Sequence, residues 1–409
     1  MAVTRVGTVV GALLVAALTA SLAQTIVIAV LPVLGPELGA STTAVTWVLT
    51  AFMLSSAVAT PIAGRLGDMF GHRRVMLACL GCFALGTLVC ALAGTLGWMV
   101  AGRVLQGVAG GVFPLAFGIV RAALPPARVP GVIALLSAMF GIGGSAGMVA
   151  SGPLADVAGT RWLFWGLLVL AAVAAAACAA LPAARPGGEE LPGGGLLSGA
   201  VVRLMGRRAL VTTNLATLVV GAAMFGVITL IPRFVQTSPA AGYGFGASAT
   251  EAGLVMVPIA LAMLVATPLA PLLGRRFGAR LPLQAGAACA AASFALLTVA
   301  HDHMWQVHAA GLVVGAGYGL AFASIGNLVV EAVEPHQTGV ATGVNTIVRT
   351  VGGALGAQIA AALLALGTPG PGAVPAESGY SVAFAAFAAL AVVALGTAAT
   401  VPRRSDVAL

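Results

Sequence analysis

The sequence predicts an all-α polytopic membrane protein with twelve transmembrane helices in two pseudo-symmetric six-helix halves. Of its 409 residues, 60% are hydrophobic and only 7% are charged, whereas a soluble domain carries about 25% charged residues. Apolar runs recur along the chain, and many reach the length of about 20 residues that a spanning helix needs. This composition excludes a soluble protein. Nucleic-acid binding is also excluded, because the arginines lie in short loops and never cluster on a polar face.

The apolar runs and the segments between them place twelve spans and one linker. The predicted spans are 7–31, 44–63, 75–96, 98–120, 131–153, 161–181, 210–233, 251–273, 282–300, 305–330, 339–366 and 380–401. Between the sixth and seventh spans lies a segment rich in proline, glycine and charge. We interpret residues 182–208 as a cytoplasmic linker between an N-terminal half, residues 1–181, and a C-terminal half, residues 209–409.

The distribution of arginines predicts the orientation of these spans. With the N-terminus inside, fifteen arginines lie on the inner side and only Arg161 and Arg233 lie outside. An excess of cations on the cytoplasmic side is the usual bias of membrane proteins. The sequence therefore predicts a multi-pass protein of the bacterial cytoplasmic (inner) membrane, surrounded by the lipid bilayer, with both termini cytoplasmic. We expect a monomer.

Similar segments recur in the two halves. Residues 67–73 match residues 274–280 at an offset of 207, and residues 143–147 match residues 352–356 at an offset of 209. Matches in the same order at nearly one offset predict that the two halves arose by duplication. Duplicated halves of this kind predict a pseudo-symmetric arrangement of two six-helix units.

The segment between the second and third spans reads G-R-L-G-D-M-F-G-H-R-R and covers Gly64–Arg74. It resembles the signature loop of the major facilitator superfamily. Met69 and His72 depart from the pattern, because the family usually has arginines there. The positions that match the family's glycine, aspartate, second glycine and cation are Gly64, Asp68, Gly71 and Arg73.

The resemblance implies that Asp68 is a conformational latch. In the family this acid ties the second helix to the start of the eleventh helix, here near Gly339, while the protein is open to the outside. A carboxylate suits that position because it accepts hydrogen bonds from the free amides of a helix N-terminus. The second half has Arg275 at the equivalent position, so only the first loop can make this contact. The alternative is a solvated loop acid.

Arg103 and Gln106 lie in a G-R-V-L-Q-G segment of the fourth span. The segment resembles the family's R-x-x-q-G motif, which implies control of a protonation event or contact with substrate. A permanent charge inside a span is costly and normally faces the bundle interior, so Arg103 and Gln106 are predicted to face the central cavity. The alternative is that Arg103 snorkels to the outer interface.

Two further motifs resemble those of drug:proton antiporters. The first span resembles the L-D-x-T-I-V pattern of the fourteen-helix subgroup, but Ala23 replaces the aspartate and the chain lacks two central helices. Gln24 and Thr25 of this pattern are predicted to line the substrate cavity. The fifth span resembles the antiporter motif, with Met148 in place of its proline, and this favours export. Met148 is also predicted to line the substrate cavity. Close helix packing is the alternative explanation of the glycines of this span.

Polar residues of the second half predict a further part of the cavity. Asn345 and Arg349 are four residues apart and share a helix face. Together with Tyr318 and Asn327 of the tenth span, they are predicted to line the cavity. Hydrogen bonding between helices is the alternative.

The positions of the acids predict the charge of the substrate. Asp156, Glu251 and Glu331 lie near span ends, whereas Arg103 and Arg349 lie within spans. A desolvated cation needs a counter-charge, so we expect a neutral or anionic substrate. The three acids are the candidate proton carriers, and we expect them to be partly buried, since burial favours the protonated form of a carboxyl group.

The sequence therefore predicts a transporter that exports a small lipophilic compound, a drug or a secondary metabolite, by alternating access. Proton-coupled antiport is the expected mechanism, with the small molecule and protons as its partners. A metabolite uptake symporter or facilitator and a non-transporting membrane scaffold or sensor are the alternatives. We expect no enzyme, no cofactor and no metal, because no catalytic or phosphate-binding constellation is present.

Overall fold

The computed structural model describes residues 2–125, 128–181, 206–278, 280–333, 338–368 and 374–400. Within these ranges the chain forms helices and turns. The helices before the linker are α1 (Ala2–Thr25), α2 (Leu31–Glu37), α3 (Thr42–Phe70), α4 (His72–Leu92), α5 (Leu96–Gly107), α6 (Val112–Ala123), α7 (Val129–Ala158) and α8 (Thr160–Ala179). Those after it are α9 (Arg208–Gln236), α10 (Ala249–Ala266), α11 (Leu269–Phe277), α12 (Arg280–Val299), α13 (Met304–Glu331), α14 (Thr338–Leu366) and α15 (Glu377–Thr400).

The helices correspond to the twelve predicted spans. Eleven helical segments of the described residues are long and apolar enough to cross a membrane. The predicted fifth span corresponds to α7, a helix of 30 residues. Most of the predicted linker, residues 182–205, lies outside the described residues.

Three spans are interrupted where one continuous helix was predicted. The first ends at Thr25, and the chain turns before it resumes as α2, where Pro32 occupies the first turn and needs no hydrogen-bond partner for its nitrogen. The eighth span divides into α10 and α11 at Pro268. The fourth contains a 3-10 turn, Val108–Gly111, between α5 and α6. The hydrophobicity of the sequence alone does not predict these interruptions.

The predicted loop of the Gly64–Arg74 segment is almost entirely helical. Helix α3 continues to Phe70 and α4 begins at His72, so only Gly71 lies between them. Gly71 has φ +91°, a backbone conformation that side-chain-bearing residues rarely adopt. Gly278, at the matching position between α11 and α12, also has φ +91°. The same sharp break in both halves supports the predicted internal repeat.

The chain divides into two compact units, residues 1–40 with 47–193 and residues 41–46 with 194–409. In the first unit α1 packs on α7, and in the second α9 packs on α14. Glycines make both contacts close. Gly147 lies against Thr25 of α1, and Gly356 lies against the Ala222 carbonyl of α9. Since a Cβ at either glycine would overlap its neighbour, close packing accounts for both glycine runs.

Candidate functional site

A buried polar network surrounds Arg103 of α5. The side chain is 0% exposed. Its Nε donates a hydrogen bond to the Val48 carbonyl oxygen of α3 at 2.8 Å, and Nη1 donates to the Ala23 carbonyl oxygen of α1 at 2.9 Å. Nη1 also lies 2.7 Å from Gln106 Oε1, one turn along α5. The guanidinium thus joins three helices of the first unit.

Gln106 carries the network to α4. Its Nε2 donates to Thr87 Oγ1 at 2.8 Å, and that hydroxyl donates to the Phe83 carbonyl oxygen at 2.7 Å. On another side, the Arg103 guanidinium lies 4.4 Å from the centre of the Phe52 ring, a cation–π contact. The charge is therefore held by carbonyl and amide oxygens and by an aromatic face.

This network excludes the snorkelling alternative for Arg103 and corrects the expectation that the side chain faces a cavity. The guanidinium is bonded inside the unit, so it does not snorkel to the membrane interface. It also has no exposed surface, so it does not line an open cavity in this conformation. Its Nη2 is buried without a hydrogen-bond partner among the described residues. Ala23, which replaces the antiporter aspartate, supplies its backbone oxygen to the same guanidinium.

The Gly64–Arg74 segment contains an acid–histidine pair that sequence reasoning missed. Asp68 Oδ1 lies 3.1 Å from His72 Nε2, and the two side chains are 56% and 27% exposed. The His72 ring packs on Gly118 of α6, where a Cβ would overlap the ring. The spacing of four residues, which places side chains on one helix face, was the signal that could have revealed the pair.

Arg73 and Gly64 position the same segment against the rest of the first unit. Arg73 Nε donates to the Cys178 carbonyl oxygen at 3.3 Å, and its Nη2 donates to the Ala179 carbonyl oxygen. The last carbonyls of a helix have no partner within the helix and carry partial negative charge. Arg73 therefore caps the C-terminus of α8, while Gly64 lies beside Pro114 of α6.

Two predicted cavity residues of the antiporter-like motifs are instead buried. Thr25 Oγ1 donates to the Gly144 carbonyl oxygen of α7 at 2.8 Å, and Thr25 is 8% exposed. Met148 is 9% exposed. Gln24 is half-buried. Thr25 therefore stabilises the contact between α1 and α7. Of Gln24, Thr25 and Met148, Gln24 has the largest exposed fraction.

The predicted cavity residues of the second half fall into separate groups. Asn345 Nδ2 donates to Asn214 Oδ1 at 2.9 Å and to Thr217 Oγ1 at 2.7 Å, both in α9. These α9 partners were not predicted. The geometry matches the alternative of hydrogen bonding between helices.

Arg349 of the same half lies over an aromatic pair. Its guanidinium is 5.5 Å from the Phe322 ring centre, and the Phe322 and Tyr318 rings are 6.2 Å apart. Tyr318 is 2% exposed, whereas Asn327 is exposed on α13. The structure thus brings Arg349 and Tyr318 to one aromatic cluster.

The three candidate proton carriers, Asp156, Glu251 and Glu331, are all exposed. The partial burial expected of them is therefore wrong. Glu251 has a structural role, because it forms a capping box with Ser248 at the start of α10. Its Oε2 accepts from the Ser248 amide at 2.8 Å. A cap of this kind satisfies free amides of the first helical turn.

Comparison with known proteins identifies the family. The model of the Major Facilitator Superfamily matches residues 13–357. The uncharacterized MFS-type transporter Rv1877 of Mycobacterium tuberculosis is 31% identical over 371 residues, which cover 76% of this chain and 53% of that protein. The chain thus spans about half the length of this relative. The cephamycin export protein CmcT of Amycolatopsis lactamdurans is 29% identical over 399 residues, 83% of this chain and 80% of that protein.

A solved structure shows the same fold. The nucleoside transporter NupG matches with a TM-score of 0.77 over 96% of this chain and 98% of that one, at 14% identity. This likeness confirms the all-α polytopic fold. The family and the relatives bear the names of transporters, in agreement with the prediction that the protein is not an enzyme. Since the family model covers most of its length, the chain belongs to the major facilitator superfamily.

Proposed function

We propose that this protein exports a small lipophilic neutral or anionic compound, a drug or a secondary metabolite, by proton-coupled antiport with alternating access. The observation that carries the proposal is the placement of charge. Arg103 and Arg349 lie within spans, while Asp156, Glu251 and Glu331 are exposed. A cationic substrate would need a carboxylate to replace its hydration. The relative named for cephamycin export supports the direction of transport.

The charged residues also bear on the location and orientation of the protein. The arginine distribution supports insertion in the bacterial cytoplasmic membrane with both termini in the cytoplasm, and the protein acts as a monomer. Asp68 is the conformational latch, with Gly64, Gly71 and Arg73 fixing its segment. Gln24, Asn345 and Arg349 are the residues of the predicted cavity set that combine polarity with partial exposure.

Transport in everted membrane vesicles tests the proposal. We expect proton-gradient-driven accumulation of neutral and anionic test compounds, but not of a permanent dication of similar size. An ionophore that dissipates the gradient should stop accumulation, and vesicles without the protein provide the baseline. An epitope placed after Leu409 should be digested by added protease, because the cytoplasmic face is outermost in these vesicles. Driven accumulation of the dication would overturn the assigned substrate charge.

The same assay tests the proton carriers. Asp156→Asn, Glu251→Gln and Glu331→Gln, combined in one protein, should uncouple accumulation from the gradient. Coupling retained in the triple variant would exclude these three acids. Uptake in the opposite direction would indicate an importer, and no transport of any test compound would indicate a scaffold.

A further inference from the structure

A second cluster of polar side chains lies in the second unit, at the end of α12 that is remote from Gly278. His301 follows α12, Asp302 follows His301, and Glu377 begins α15. One ligand atom from each lies within 4.8 Å of the others. His301 is 8% exposed, and the two acids are exposed. A cavity of about 250 Å³ adjoins all three residues.

The hydrogen-bonding groups around His301 require a cation. Nδ1 lies 2.8 Å from the Leu297 carbonyl oxygen, which can only accept, so Nδ1 carries the proton of the neutral ring. Nε2 then presents a lone pair to Glu377 Oε1 at 2.9 Å. An ionised carboxylate also only accepts. Two lone pairs at this separation repel unless a proton or a metal ion lies between them.

Aromatic packing holds the ring and the acid in place. The Phe234 ring meets the His301 ring edge-on, with centroids 5.3 Å apart, and stacks on Tyr243 at 5.7 Å. The Tyr243 hydroxyl donates to the Pro375 carbonyl oxygen, two residues before Glu377. Burial raises the pKa of Tyr243, so the hydroxyl keeps the proton it donates. The start of α15 is thereby fixed relative to His301.

We propose that His301, Asp302 and Glu377 bind a divalent metal ion of the zinc class. A proton would need only His301 and Glu377, whereas the third ligand, Asp302, completes a metal site. Imidazole nitrogen with carboxylate oxygens suits Zn²⁺, while Mg²⁺ prefers oxygen ligands alone. The Nδ1 hydrogen bond to a carbonyl is the usual support of a metal-binding histidine. Nothing in the proposal depends on the transported substrate.

The ion would connect two segments that are distant in sequence. His301 and Glu377 are 76 residues apart, and they belong to the turn after α12 and to the first turn of α15. A metal bound by both would stabilise this end of the second unit, since an ion that binds only the folded state adds its binding free energy to stability. The expected consequence is a zinc-dependent rise in the unfolding temperature.

Titration calorimetry with ZnCl₂ on the untagged, chelator-treated full-length protein in detergent tests the site. We expect one Zn²⁺ per chain and much weaker binding of Mg²⁺. His301→Gln should weaken zinc binding at least about 100-fold, since loss of even an outer-shell partner costs about 10–100-fold. Asp302→Asn and Glu377→Gln should each weaken it by about tenfold or more. His308→Gln is the matched control, because His308 has the same local contact, Nδ1 to the Met304 carbonyl oxygen at 2.8 Å.

Every result of the zinc titrations either supports or overturns the metal site. Zinc binding lost in the three ligand variants but kept in His308→Gln supports it. Absence of zinc binding by the parent protein overturns it, and a proton then occupies the gap between Nε2 and Oε1. Binding that is equal in all variants also overturns it, because the ion would lie elsewhere. Asp302 is exposed, so Asp302→Asn remains informative even if His301→Gln fails to fold.

Discussion

Arg103→Lys should lower transport by at least about tenfold, although the substitution keeps the positive charge. The guanidinium donates to the Val48 and Ala23 carbonyl oxygens and to Gln106 Oε1. An ammonium on a flexible stem cannot present the same planar fork. Hydrogen bonds to a charged group contribute about 1.5–3 kcal/mol each, and about 1.4 kcal/mol corresponds to tenfold in rate. Loss of one such bond from a single conformation of the transport cycle therefore gives the expected effect.

Arg103→Ala should be more severe and should also destabilise the protein. It removes the three hydrogen bonds of the guanidinium and leaves Gln106 Oε1 without this donor, and an unsatisfied buried group costs about 1–3 kcal/mol. Thermal unfolding in detergent and accumulation in everted vesicles are the two measurements. Arg161→Lys is the matched control, since Arg161 is exposed at the start of α8. Full transport by both Arg103 variants would show that transport does not require this hydrogen-bond network.

Asp68→Asn should lower transport about ten- to 100-fold with little change in stability. The Asp68–His72 pair is substantially exposed, and exposed ion pairs contribute only about 0–1 kcal/mol to folding. The proposed latch is different, because a charge-assisted hydrogen bond of about 1.5–3 kcal/mol would be lost from one conformation of the transport cycle. That energy corresponds to about ten- to 100-fold in rate. Accumulation and thermal unfolding separate the two effects.

The second half offers the control for this prediction. Arg275 occupies the position that matches Asp68, so Arg275→Gln changes a charge at the equivalent place without touching the latch. We expect transport near the parent level in Arg275→Gln. Parent-level transport in Asp68→Asn as well would exclude the latch, and the segment would then contribute only to the membrane topology.

The sequence was most informative about the helices and least informative about their ends. Composition and run length are sufficient to predict all-α spans, because the bilayer forces every backbone group into helical hydrogen bonds. Interruptions depend on local backbone geometry instead. The turn after Thr25 and the break at Pro268 lie inside continuous apolar runs, and hydropathy is the same on both sides of them.

The residues of the site were predictable only where their side chains are of a type that is unusual in a membrane span. Arg103 and Gln106 stand out because charged and amide groups are rare in spans. Their partners at Val48 and Ala23 are backbone carbonyls, which every residue possesses, so no sequence pattern records them. His72 was overlooked because it departs from a family motif, and its pairing with Asp68 becomes evident only from helical spacing. His301 and Glu377 are too distant in sequence for any motif to connect them.

The acceptors of Arg103 also have an order along the chain. The Ala23 and Val48 carbonyls and the Phe52 ring precede Arg103, whereas Gln106 follows it within the same helix, so ribosomal synthesis delivers most of the partners before the cation. Placing an arginine at the centre of an isolated spanning helix costs about 2.5–3.5 kcal/mol during insertion. Here α5 can enter the membrane beside α1 and α3, which already offer the carbonyl oxygens and the aromatic ring that bind the guanidinium. The order of synthesis therefore makes most of the groups that solvate the Arg103 guanidinium available before Arg103 itself is inserted.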